Sequence, residues 1–205
     1  MRLIDISHEL SAETPVFPGD VAVELSELAT LERDRYTAWR LNSGLHAATH
    51  VDAPMHLVRD ARWISEFPIE RFCGRGVLLD VRGENPILPR REYEERIREG
   101  DIVLLHTGWD ALWGRDDYFE RHPVVSDELG ELLIARGVSV LGIDMPSPDF
   151  APYALHKRLL AGDVLVMENL TNLGELVDVT DFEVMALPLK LRAEASFVRA
   201  VCRVG

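Results

Sequence analysis

A chain of 205 residues, 47% hydrophobic and 28% charged, has a globular balance and the length for one domain with a sizeable core, taken here as residues 1–205. Its 35 acidic against 22 basic residues leave a formal charge of −13, which argues against a nucleic-acid partner held by clustered Lys and Arg. No apolar run approaches the roughly 20 residues that span a bilayer, and Asp5 and His8 interrupt the first ten residues before an apolar leader can develop. No membrane partner is expected, and the default location is cytoplasmic.

In chain order, short apolar runs rich in β-branched residues read as strands: Leu3 to Ile6, Val77 to Val81, Ile102 to Leu105, Val138 to Ile143, Val164 to Met167 and Val184 to Leu187. Thr14-Pro15-Val16-Phe17-Pro18-Gly19-Asp20, with two prolines and a glycine around an aromatic, reads as a rigid turn. Arg90 to Glu99 reads as a surface helix ended by Gly100. Ser126 to Arg136 is the stronger helix: Ser126 caps it, Asp127 and Glu128 suit its first turn, Leu129, Leu132 and Leu133 make an apolar face, and Gly137 ends it. Asp144-Met145-Pro146-Ser147-Pro148-Asp149 follows a buried strand and opens a loop reaching towards His156. In α/β proteins such a loop is a candidate pocket wall. Phe197 to Val204 alternates like a half-buried strand. The expected fold class is mixed α/β with more strand than helix.

Several chemistries lack their signatures. Neither a P-loop nor a GxGxxG occurs, and Gly137-Val138-Ser139-Val140-Leu141 fails the nucleophile-elbow pattern at its last position. Lys157 and Lys190 are the only lysines, leaving few groups for a Schiff base, and Cys73 and Cys202 form no metal or disulfide framework and read as reduced thiols.

One segment stands apart. Between His46 and His56 lie His46, His50, Asp52 and His56, three of the seven histidines with a carboxylate, spaced His-x3-His-x-Asp-x3-His. Imidazole and carboxylate without cysteine suit zinc, manganese or iron in a catalytic rather than a thiolate-rich structural site. A single histidine here would read as a solvated or capping group; the density favours a metal centre. His46 and His50 fit one helical face, yet all four residues share strand parity, and Pro54 interrupts both, so an irregular turn is expected. His46, His50 and Asp52 supply the three ligands of an open catalytic site. His56 is left over as a proton shuttle, a fourth ligand or an outer hydrogen-bonding partner.

The segment resembles the HxGTHxDxPxH signature of the metal-dependent cyclase family, which includes bacterial kynurenine formamidases and isatin hydrolases. Asp5-Ile6-Ser7, Thr14 to Asp20, Gly142 to Asp149, His156, Glu168 and Ala186-Leu187-Pro188-Leu189-Lys190 match further landmarks in family order, so the resemblance covers essentially the whole chain. It implies a swivelling β/β/α fold, a homodimer or larger assembly, and two divalent ions, zinc first and manganese as the alternative. By resemblance His46 and His50 bind one ion, His156 the other, Asp52 and Glu168 touch both, and His56 is the proton donor and acceptor. The implied substrate is a small aromatic amide, N-formylkynurenine first, with Phe17 against its ring and Trp63 a weaker second candidate. Two departures stand out: Ala48 replaces the signature glycine, and Phe17 replaces the tryptophan of the formamidase branch. Ring opening of a cyclic amide or lactone is the alternative within the family, and a non-catalytic metal-binding protein the alternative outside it.

Overall fold

A computed structural model describes residues 1–59 and 61–205. The strands are β1 Arg2–Asp5, β2 Glu24–Ala29, β3 Ala38–Asn42, β4 His50–Asp52, β5 Cys73–Asp80, β6 Ile102–His106, β7 Val140–Ile143, β8 Leu165–Glu168, β9 Phe182–Met185, β10 Ala195–Phe197 and β11 Val201–Val204. The helices are α1 Leu31–Asp34, α2 Arg91–Arg96, α3 Asp127–Ala135 and α4 Ala154–Ala161. Among the described residues no helix is long and apolar enough to cross a membrane.

One mixed sheet runs in the order β1-β11-β9-β5-β6-β7-β8-β4-β10. Its centre, β5 to β8, is parallel and is connected through α2, α3 and α4, whereas both flanks are antiparallel. Alternation along the central strands divides their side chains between two cores. Val77, Leu79, Val103, Leu105, Leu141 and Ile143 pack with Tyr93, Leu129, Leu133, Leu155 and Leu159 of the three helices. Leu78, Ile102, Leu104, Val140, Leu165 and Met167 face the other way, onto Ile4, Val51, Phe182 and Val184.

The expected strand from Phe197 to Val204 is divided in two. β10 pairs with β4 and β11 with β9 and β1, at opposite ends of the sheet order. A flat sheet would hold β10 and β11 roughly 30 Å apart, yet the few residues between them reach roughly 14 Å at most. The sheet therefore curls until its ends approach. The bridge Ser7–Leu170 and the bond from Ile6 N to Ala200 O (3.0 Å) tie that closure together. The expected strand at Val184 to Leu187 forms a little earlier, as β9.

The expected helix from Ser126 forms as α3, with the Ser126 hydroxyl accepting from Leu129 N at 3.2 Å, a cap that stabilises by about 1 kcal/mol. Gly130 sets the approach of α4, because a Cβ there would lie 2.3 Å from Leu155 Cδ1. Replacing that glycine would displace the helix that carries His156. α4, strand β4 and the β2–β3 hairpin with its connecting α1 had no forecast as regular elements; the hairpin stands outside the main sheet.

Candidate metal centre

The His46-to-His56 segment is neither one helix nor one strand. His46 lies in a turn, His50 to Asp52 form β4, and Pro54 opens a 3-10 turn ending at His56, so the irregular path expected from Pro54 is observed. β4 runs antiparallel to β8 with His50 opposite Glu168. Residue 156 arrives from the first turn of α4, whose Leu155 N donates to Asp149 Oδ2 at 2.8 Å.

The result is two donor triads sharing one carboxylate. Ligand atoms of His46, His50 and Asp52 lie within 4.8 Å of one another, as do those of Asp52, His156 and Glu168. Asp52 Oδ1 is 2.9 Å from His46 Nδ1 and 3.4 Å from His50 Nε2, while Oδ2 is 3.3 Å from His156 Nε2. Glu168 Oε2 lies 3.4 Å from His50 Nε2, so the second carboxylate borders both triads. His56 sits over them, its ring centroid 4.3 Å from that of His46 and 5.7 Å from that of His156.

Donor chemistry and burial fit divalent ions. His50 Nε2, both Asp52 oxygens, His156 Nε2 and Glu168 Oε1 are buried without a hydrogen-bond partner, and each such atom costs on the order of 1–3 kcal/mol unless something binds it. The charges are arranged in the same sense. Burial opposes ionisation of Asp52, but the charges of His46 and His50 hold its carboxyl well below the ordinary range. Burial, then the neighbouring Asp52 charge, raises that of Glu168. Burial would lower His46, but Asp52, Glu168 and Glu194 outweigh it and raise it to about 9. His56 is lowered to about 4, by burial and by the His46, His156 and His50 charges, which outweigh the opposing pull of Asp52. A dication held between the carboxylates would offset their repulsion.

Outer contacts set the ring orientations. His50 Nδ1 donates to Ala48 O at 2.9 Å, leaving Nε2 for the cluster. Ala48 has φ +48, and its left-handed backbone aims that carbonyl. Asn169 Nδ2 donates to the same oxygen at 2.9 Å, and Tyr118 OH donates to Asn169 Oδ1 at 2.9 Å. Asn169 and Tyr118 escaped the sequence reading, as did Glu194 beside His46. Asn169 follows β8, Glu194 precedes β10 and Tyr118 lies in a turn, so their places come from tertiary structure rather than from any local pattern.

A cavity of about 210 Å³ opens over the cluster, lined by His46, His56, His156 and Glu168 and walled by Phe17, Phe119 and Tyr153. Phe17 and Phe119 meet edge to face at 5.7 Å. The turn expected around Pro18-Gly19 is present: Asp20 N bonds Phe17 O at 2.9 Å with Gly19 at φ +100, and it sets Phe17 and Asp20 at the mouth. Pro146 and Ser147 form part of the wall, as the loop after β7 suggested, but Asp144 turns away and accepts from Thr107 N and Gly108 N. Trp63 does not line the cavity; it lies under Arg192, 5.7 Å from ring to guanidinium carbon.

The sequence profile described as putative cyclase matches residues 4–150. The kynurenine formamidase of Bordetella pertussis (strain Tohama I) is 36% identical over 210 aligned residues, covering 98% of each chain. That of Bacillus anthracis is 30% identical over 209, covering 98% of this chain and 97% of the other. Among solved structures, an isatin hydrolase bound to the product analogue thioisatinate superposes with TM-score 0.86 at 20% identity, over 98% of this chain and 91% of its own. Isatin hydrolase A from Labrenzia aggregata, bound to benzyl benzoate, has TM-score 0.86 at 22% identity, over 99% and 93%. The profile match ends before His156 and Glu168, whereas the full-length likenesses extend past both.

Proposed function

The chain belongs to the cyclase family of metal-dependent hydrolases, and on that premise we propose that it hydrolyses the C–N amide bond of N-formyl-L-kynurenine, giving L-kynurenine and formate in tryptophan degradation. The observation that carries the reading is the pair of triads sharing Asp52 beneath an aromatic-walled cavity. His46, His50 and Asp52 would hold one divalent ion and Asp52, His156 and Glu168 the other, with Glu168 bordering both. Zinc is the leading choice and manganese the alternative for such nitrogen and oxygen donors. Ions bound there would supply Lewis acidity, acidifying water and polarising a carbonyl oxygen.

The protein's own groups do the rest. Phe17 and Phe119 hold the aryl ring and exclude water from one side of the cavity. His56, neutral at pH 7, accepts a proton from the attacking water and delivers it to the amine nitrogen as the C–N bond breaks. Water's oxygen ends on formate, one of its protons on the arylamine nitrogen, and the other leaves to solvent as the formic acid ionises.

The acting unit is read as one domain over residues 1–205, since β1 and β11 pair the two chain ends and the donors come from positions 46 to 168. A homodimer is favoured by the apolar β2–β3 hairpin, and the free thiols Cys73 and Cys202 suit the cytoplasm. Ring opening of a neutral cyclic amide such as isatin, or of a lactone, is the second reading. It is favoured by a cavity lining without Lys or Arg among the described residues, which leaves the α-carboxylate of formylkynurenine without a cation.

The deciding experiment assays metal-loaded protein on N-formylkynurenine, isatin and a simple lactone. Preferred turnover of the formamide supports the first reading, and preferred turnover of isatin the second. His56→Ala should keep the metals and lose roughly a hundredfold or more of the hydrolysis; unchanged turnover would remove its assigned role.

A further inference from the structure

β10 brings a carboxylate to the outer side of His46. Ala195 pairs with Asp52, and Glu194 O accepts from Ala53 N at 2.8 Å, so Glu194 emerges beside the turn that carries His46. The two nitrogens of the His46 ring face different acids. Nδ1 points inward, 2.9 Å from Asp52 Oδ1, and Nε2 points outward, 3.6 Å from Glu194 Oε1. His50 in the same triad is arranged the other way round, with Nδ1 tied to the Ala48 carbonyl and Nε2 inward.

A neutral imidazole has one N–H and one lone pair, so whatever accepts the N–H decides which nitrogen can bind a metal. His50 is oriented by a backbone carbonyl that no substitution removes. His46 has no such carbonyl among the described contacts; Glu194 is the group placed at its outer nitrogen. We infer that Glu194 is a positioning residue: once a metal takes the place of the Nδ1 proton that faces Asp52, Glu194 is the group facing the remaining Nε2–H, and it keeps the ring turned with its Nδ1 lone pair towards the site shared with His50 and Asp52. The inference rests on the reading of that triad as a metal site. It adds a residue with no place in the spacing of the His46-to-His56 segment, and it makes the two sites unequal, because His156 and Glu168 do not depend on Glu194.

The test titrates metal-free full-length protein with Zn²⁺ against a chromophoric chelator, for the parent, Glu194→Ala and Glu194→Gln. Glu194→Ala should weaken one of the two sites about 10- to 100-fold, the range for losing an outer-shell partner, and leave the other site and the metal-free melting temperature unchanged. Glu194→Gln keeps an acceptor oxygen and should recover part of the loss. In cobalt-loaded protein the visible spectrum should shift for Glu194→Ala and less for Glu194→Gln. Equal affinity in all three proteins would overturn the inference, as would parallel weakening of both sites with a lowered melting temperature. A parent that binds no metal would overturn the metal reading itself, and this inference with it.

Discussion

His50 and Glu168 face each other across the antiparallel pair of β4 and β8, with His50 Nε2 3.4 Å from Glu168 Oε2. Strand pairing thus joins the histidine-rich segment to an acid far along the chain and places the acid's charge against Asp52. The raised carboxyl of Glu168 means that its ionised form is disfavoured in the metal-free fold. A carboxyl raised on folding weakens the fold once pH exceeds its unfolded value. Glu168→Gln should therefore act differently in the two states. In the presence of metal it should lower metal content and melting temperature relative to the parent, since ligands that bind only the native state stabilise it. In chelator it should melt no lower than the chelated parent. A variant that melts well below the parent in chelator would contradict this charge arrangement.

Proton release on metal binding follows from His46. Its folded pKa of about 9, above the usual 6.5, keeps the ring charged at pH 7.5 in the metal-free protein. A ligating imidazole must be neutral, so binding at pH 7.5 should release about one proton from this residue. The release should fade as pH rises through about 9. The same shift contributes stability to the metal-free fold that is complete below pH 6.5 and is lost as pH approaches 9. Calorimetric titration of metal in buffers of different ionisation enthalpy measures the proton count, and a count of zero at pH 7.5 would contradict the protonated His46.

What could be read from the sequence was local or spaced on one element. The parallel strands β5 to β8 are continuous apolar runs because both faces are covered, and α3 carries its cap and its stop within its own residues. The donors His46, His50 and Asp52 came from spacing alone, and His156 and Glu168 only from family resemblance. Other features depend on partners distant in sequence. α4 begins at Tyr153 in the left-handed region and takes its cap from Asp149, so no standard cap marks it. β10 and β11 read as one strand because alternation cannot show that two neighbours join opposite ends of a curled sheet. Glu194 has no spacing to the cluster; only the β10–β4 register reveals it.

Ala48 holds the position where the family signature has glycine, at φ +48 and 2% exposed. An L-residue in the left-handed region costs about 1–2 kcal/mol. Glycine would relieve that strain, but it would remove a buried methyl worth about 0.8 kcal/mol and add unfolded-state entropy worth about 0.4–1 kcal/mol. The opposing effects nearly cancel, which accounts for an alanine at this place. Ala48→Gly should stay within about 1 kcal/mol of the parent in denaturant unfolding, with metal affinity intact because the carbonyl to His50 is kept. Ala48→Val, β-branched and poorly accommodated at positive φ, should lose both stability and metal. A large gain for Ala48→Gly would mean that the methyl has no packing value.

The β2–β3 hairpin pairs Leu25 with Leu41 and Glu27 with Trp39, which puts Leu25, Trp39 and Leu41 on one face. Trp39 is 60% exposed, and Leu28, Leu31 and Tyr36 nearby are exposed as well. A two-stranded ribbon outside the main sheet is marginal by itself, and together these side chains expose several hundred Å² of apolar surface, on the order of the largest patches that monomers leave uncovered. Asp20, just before the hairpin, and His46, just after it, both line the cavity, so whatever covers the hairpin also steadies the cavity mouth. A second copy of the chain is the expected cover. Trp39→Ser with Leu41→Ser should weaken self-association by about 2–4 kcal/mol, the range for losing an aromatic hot spot, and raise KM more than it lowers kcat. Sedimentation equilibrium reads the first effect and steady-state kinetics the second. A monomeric parent, or a double variant that associates as tightly as the parent, would show that the hairpin is not the dimer contact.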